Sequence, residues 1–132
     1  MTWTPTPLSA LDPERMRRLN WMIFDCDGVL TDGRVWLDAS GRETKAFSVI
    51  DGHGLWMLRN AGVRLGMITR DRSGIPAVRA RKLQFDLIHT SIDDKGGCMR
   101  AILAQEGLSA NEVGYMGETH LGKRIQIGDV VT

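Results

Sequence analysis

A chain of 132 residues, 42% of them hydrophobic, can bury the core of one ordinary globular domain but not of two. Its 17 basic residues stand against 16 acidic ones, so the overall field attracts neither a nucleic-acid backbone nor an acidic membrane surface. Cys26 and Cys98 lie at a spacing that matches no zinc motif. They indicate neither a disulfide framework nor a cysteine-built metal cluster, and a reducing cytoplasm fits them.

The opening residues contain Pro5 and Pro7 but no apolar stretch of signal-peptide length, and no later segment could span a membrane. Residues 1–11 are expected to be flexible, followed by a single domain over 12–132. Asp12-Pro13-Glu14 predicts a helix start, with Asp as N-cap and proline at the first helical position, over about 13–19. Trp21 to Phe24 then form an apolar run that reads as a buried strand. It ends abruptly in Asp25-Cys26-Asp27-Gly28.

In open α/β sheets, ligands bind beyond the C-terminal ends of the strands, so both carboxylates are expected to share one pocket. Charges so close repel unless a cation binds between them or one keeps its proton. The pair predicts a division of labour: Asp25 attacks an electrophile, Asp27 shuttles a proton, and Mg2+ screens both the carboxylate and an incoming phosphate. Gly28 would let the backbone approach that phosphate. An Asp-rich turn capping a strand accounts for the same residues on conformational grounds alone.

Arg34–Leu37 and Arg42–Val49 flank Asp38-Ala39-Ser40-Gly41 and read as a β-hairpin within about residues 33–50. A helix following Asp51-Gly52-His53-Gly54 carries Leu55, Trp56, Met57 and Leu58 and ends at Asn60-Ala61-Gly62. Next come a strand at Val63–Ile68, a helix at about Ser73–Leu83, a strand at Asp86–His89, a helix at about Gly97–Glu106 and a strand at Val113–Met116. Such alternation predicts a parallel sheet with crossover helices, and no internal repeat interrupts it. Arg70, Arg72, Arg79, Arg81 and Lys82 read as a solvated helix surface rather than a nucleic-acid face.

The string Met22-Ile-Phe-Asp25-Cys-Asp27-Gly28-Val-Leu-Thr-Asp-Gly33 resembles the first motif of the haloacid dehalogenase superfamily, in particular its cap-less sugar-phosphate phosphatases. The resemblance continues through residues 32–38, Glu43, Lys45-Ala46-Phe47, Asp51–Gly54, Ile68-Thr69, Arg79-Ala80 and Asp94-Lys95, covering about residues 20 to 117. It implies a Rossmann-like three-layer α/β/α sandwich whose hairpin is a flap, with no large cap. Thr69, at a strand end, and Lys95, at a helix start, match the second and third motifs, and they are expected to converge on Asp25 to bind phosphate and neutralise charge. Mg2+ would be held by the Asp25 carboxylate, the Asp27 main-chain carbonyl and Glu118. Flaps of this family contribute to tetramers, so a homo-oligomer is expected. Trp36 and Phe47 either meet a neighbouring subunit or pack on their own domain. His53, between glycines, reads as an exposed residue more readily than as a catalytic base.

Two stretches depart from the family pattern. Where the family continues Gly-Arg after Ile68-Thr69, this chain has Arg70-Asp71-Arg72, which leaves Arg70 as a phosphate-binding candidate in altered register. Where the family has Gly-Asp-Asp, it reads Gly117-Glu118-Thr119. Glu118 can ligate Mg2+, though its extra methylene displaces the carboxylate and Mg2+ tolerates poor octahedral geometry badly. The chain also ends short of the family's last strand and helix, so a smaller sheet or an edge covered by a partner is expected.

Two functions follow. One is a Mg2+-dependent phosphatase acting on a small phosphosugar, such as an eight- or nine-carbon keto-sugar acid phosphate, through an aspartyl-phosphate. The other is a catalytically impaired domain serving as an oligomerisation or regulatory module.

Overall fold

The computed structural model describes residues 12–119 and 122–127, with side chains through Gly117. The first eleven residues, expected to be flexible, and the last five lie outside that range. Asp12 caps the first helix, α1 (Pro13–Arg17), by accepting a hydrogen bond from the Glu14 amide, and Pro13 occupies a position where no amide is needed. The chain then enters β1 (Trp21–Phe24), whose four residues are all buried.

Beyond β1 a short hairpin stands out, formed by β2 (Trp36–Leu37) and β3 (Glu43–Thr44). Its turn is built by Asp38, whose carboxylate accepts hydrogen bonds from the amides of Ser40 and Arg42. The second strand is shorter than the sequence predicts. Ser48 caps α2 (Val49–Asn60) by accepting from the Asp51 amide, so the Asp51–Gly54 stretch is already helical instead of preceding the helix. A serine side chain that satisfies an otherwise orphaned helix donor outweighs the β-branched pair Val49-Ile50.

After α2 come β4 (Arg64–Ile68), α3 (Ile75–Lys82), β5 (Leu87–His89), α4 (Lys95–Glu106), a single 3-10 turn at Ala110–Glu112, β6 (Val113–Thr119) and β7 (Gly122–Ile127). The main sheet has the order β5-β4-β1-β6-β7. All neighbours are parallel except β6 and β7, which form an antiparallel hairpin. The strands read from the alternation are all parallel, and β7, beyond them, adds an antiparallel edge. The β6 strand also runs on past Met116, because its pairing with β7 continues from Gly114 opposite Ile127 to Thr119 opposite Gly122.

Period-two alternation along the central strand sorts its side chains between two cores. Met22 and Phe24 pack with Leu55 of α2, Ala80 of α3, Leu65 and Met67. Trp21 and Ile23 pack on the other face with Met99 and Ile102 of α4, Ile68 and Val113. The result is a three-layer α/β/α sandwich with a small flap and no large cap among the described residues.

Chain order explains where a site can form. From β1 the chain moves to β4 and then β5 on one side, and it returns to β6 on the other. The strand order therefore reverses at β1, and the crevice beyond its C-terminal end is the topological switch point.

The two cores differ from the capping contacts in energetic weight. Met67 is fully buried, so Met67→Ala is expected to lower unfolding free energy in urea by about 2–5 kcal/mol. Ser48→Ala, which removes one cap, should cost about 1 kcal/mol.

Candidate active site

Asp25 follows the last residue of β1 and is still tied to the sheet, because its amide donates to the Met116 carbonyl at 3.0 Å. Its carboxylate is nearly buried, at 9% exposure for the residue. One oxygen, Oδ1, accepts from the Cys26 amide at 2.7 Å. The other, Oδ2, accepts from Lys95 Nζ at 2.7 Å. Lys95 is the first residue of α4, where Asp94 is the N-cap and accepts from the Gly97 amide at 2.9 Å. A rigid helix start thus delivers the ammonium to the carboxylate as the motif spacing predicts.

The loop after Asp25 closes on itself. The amides of Val29, Leu30 and Thr31 converge on the Cys26 carbonyl, which requires a tight turn, and Gly28 supplies it at φ 74°, a conformation that other residues adopt with strain. The Gly28 amide donates to Thr31 Oγ1 at 3.1 Å. Gly28 thus shapes the loop beside Asp25, and Thr31 takes its N–H.

Thr69 directly follows β4 and is 1% exposed. Main-chain bonds to His89 and from Ile92 fix it on both sides, and its hydroxyl oxygen accepts from the Asp71 amide at 3.2 Å. Among the described residues no acceptor takes the hydroxyl proton, and Thr69 stands at the strand end as the motif implies. Arg70 does not join this group. Its side chain is exposed, and among the described residues no hydrogen bond links it to Asp25, Asp27 or Lys95. Arg72 instead holds Asp93 on the surface through both carboxylate oxygens. His53 lies exposed on α2, its ring stacked on Trp56 at 5.6 Å. Phe47 packs on its own domain, with the Arg79 guanidinium 5.3 Å from its ring, whereas Trp36 is 54% exposed.

The backbone of Glu118 lies within β6, opposite Lys123, rather than in a loop beyond a strand. Its side chain is outside the described residues. Among the described residues no three His, Cys, Asp or Glu side chains gather as a metal cluster.

Two participants escape the sequence analysis in this role, Lys45 and Asp71. Lys45 Nζ donates to Asp27 Oδ1 at 2.8 Å and also to Asp71 Oδ2. Its partners lie 18 and 26 residues away, so no local spacing reports them. The usable signal was the acid in altered register after Thr69, which needs a cation when buried.

Charge and burial act together on the neighbouring groups. Burial, with the Asp27 charge, pushes the Cys26 thiol up to about 12. Burial, with the Asp25 charge, also takes the Tyr115 phenol to about 12. Both therefore stay neutral at physiological pH. Burial opposes charge on Lys45 and on Asp71, yet hydrogen bonding outweighs it in each. Asp27 and Asp71 raise the Lys45 pKa, while Lys45 and Ser73 lower that of Asp71. A depressed carboxyl pKa stabilises the fold above the unfolded value and loses that effect as pH falls through the folded one. A raised lysine pKa keeps its contribution until strongly alkaline pH. The stability difference between wild type and Asp71→Asn should accordingly be largest at neutral pH and shrink below about pH 4, measured by urea unfolding across pH.

No protein-family model matches the chain. It is 30% identical over 105 residues to the 3-deoxy-D-manno-octulosonate 8-phosphate phosphatase KdsC of Haemophilus influenzae, a match that covers 80% of this chain and 58% of that protein. A probable YrbI-family phosphatase from Pseudomonas syringae superposes with TM-score 0.77 at 33% identity, covering 80% of this chain and 60% of the other. The Moraxella catarrhalis 3-deoxy-D-manno-octulosonate 8-phosphate phosphatase, solved with magnesium, phosphate and its KDO molecule, superposes with TM-score 0.76 at 31% identity and covers 80% and 60%. The chain thus spans about three-fifths of the relatives it matches. With Asp25, Thr69 and Lys95 at the ends of their elements, the chain is similar in sequence and fold to the KDO 8-phosphate phosphatases of the haloacid dehalogenase superfamily over about three-fifths of their length.

Proposed function

We propose that the chain is a Mg2+-dependent phosphomonoesterase acting on a small phosphosugar of the keto-sugar acid class. The observation that carries this reading is the contact of Lys95 Nζ with Asp25 Oδ2 at 2.7 Å, at the strand end where the sheet order reverses. It leaves a buried carboxylate oriented by two donors and flanked by a cation, as a nucleophile toward phosphorus requires.

The oxygen donors fit Mg2+, which binds few carboxylates and keeps several waters. Asp25 would contribute its carboxylate and Asp27 its main-chain carbonyl, with Glu118 as the third protein donor. When bound, the ion offsets the repulsion between the Asp25 carboxylate and the incoming phosphate.

An Asp25 oxygen attacks phosphorus in line, and the bond from phosphorus to the sugar oxygen breaks. The Asp27 carboxyl gives its proton to the departing alkoxide. Asp27, now ionised, takes a proton from a water as that water's oxygen attacks the phosphorus of the aspartyl-phosphate, and Asp25 is regenerated with release of inorganic phosphate. The Thr69 hydroxyl and the Lys95 ammonium bind phosphate oxygens through both displacements. The alternative of a catalytically impaired module rests only on the altered fourth motif.

Self-association is part of the same proposal. Leu37 on the flap and Val49 and Ile50 at the start of α2 are 66%, 85% and 84% exposed, an apolar surface that a second copy would cover. A homotetramer is expected in sedimentation velocity, and Ile50→Glu should shift it toward smaller species. A monomeric wild type would remove this part.

Phosphate release from 3-deoxy-D-manno-octulosonate 8-phosphate and a panel of other sugar phosphates tests the chemistry. Asp25→Asn is expected to abolish it, and Asp27→Asn to lower it by about 100- to 10,000-fold. EDTA should stop release and Mg2+ restore it. Release that survives Asp25→Asn would sink the mechanism.

A further inference from the structure

The flap has little of its own to hold it in place. Each of its strands has two residues, all four are exposed, and an isolated two-stranded hairpin is marginal in water. Its far root is well anchored: Phe47 packs on the core, and Arg79 donates to the Ser48 carbonyl at 3.0 Å while lying over the Phe47 ring. Between that root and the exposed tip stands Lys45, the residue immediately after β3. Its side chain is 5% exposed.

Lys45 joins loops that belong to different strands. One partner, Asp27, lies beyond β1, and the other, Asp71, lies beyond β4. Asp71 is itself held, since Oδ1 accepts from the Ser73 amide at 2.6 Å and from the Ser73 hydroxyl. Its own amide reaches Thr69 Oγ1. The Asp27 side chain is 47% exposed and would turn freely without its partner. A single ammonium therefore links the flap, Asp27 and, through Asp71, the loop that carries Thr69. Lysine has the three donors this needs.

We propose that Lys45 is a positioning residue: it straps the flap across the mouth of the sheet and holds the Asp27 carboxyl in the orientation from which its proton reaches the leaving oxygen. The inference rests on the phosphatase reading for the second half and on geometry alone for the first. Asp71, where the family has Gly-Arg, is the far anchor of the strap.

Leaving groups separate this role from a merely structural one. The value of kcat/KM reports formation of the aspartyl-phosphate, in which an alkoxide needs a proton and nitrophenolate does not. Lys45→Met should lower kcat/KM about 10- to 100-fold for a sugar phosphate and no more than about threefold for p-nitrophenyl phosphate. Lys45→Arg should recover most of the loss. Equal losses on both substrates, or none, would overturn the positioning of Asp27. Hydrogen exchange of the amides from Arg34 to Thr44 tests the strap without catalysis. Faster exchange in Lys45→Met, and in Asp71→Asn should the first variant fold poorly, is the expected result, and unchanged exchange would overturn it. If the wild type hydrolyses neither substrate, the phosphatase reading and the positioning of Asp27 fall together, while the exchange result still decides the strap.

Discussion

Asp25 and Asp27 stand one residue apart beyond the buried end of a central strand, and carboxylates so placed repel one another wherever water is scarce. Two ammonium groups compensate them. Lys95 arrives on the first turn of α4, and Lys45 arrives from the root of the flap. The first comes with a helix whose buried residues Met99 and Ile102 pack on one face of the sheet. The second follows a hairpin whose base, Phe47, packs on the other. The charge balance of the site is thus assembled from both sides of the fold, and neither cation can be placed unless its own layer is packed.

This arrangement assigns different stiffness to the two carboxylates. Asp25 is nearly buried and is held at both oxygens, one by its neighbour's amide and one by Lys95. Asp27 is half-exposed and is held by Lys45. A nucleophile profits from a fixed attack line, whereas a group that gives and then takes a proton must meet a sugar oxygen and later a water. The stiffer position matches the proposed nucleophile and the looser one the proposed proton shuttle.

Sequence reasoning read much of this correctly because the informative signals were local. Asp12 reads as a cap, the apolar run at 21–24 as a strand, and Thr69 and Lys95 as element ends. Its errors were also physical. The sequence places the onset of α2 too late, because Ser48 supplies a cap that a hairpin reading overlooks. Arg70, the phosphate candidate in altered register, has an exposed side chain.

By itself the sequence determined the order of strands and helices through β6 and the carboxylate pair, since caps, turn residues and apolar runs act over a few neighbours; it read Trp56 and Met57 as core, yet both are exposed. Only the tertiary structure decided that β7 covers the β6 edge in antiparallel pairing and that Lys45 bridges Asp27 and Asp71. Strand partners and ion pairs join residues far apart in the chain, and which of them meet depends on how the packed layers bring their loops together.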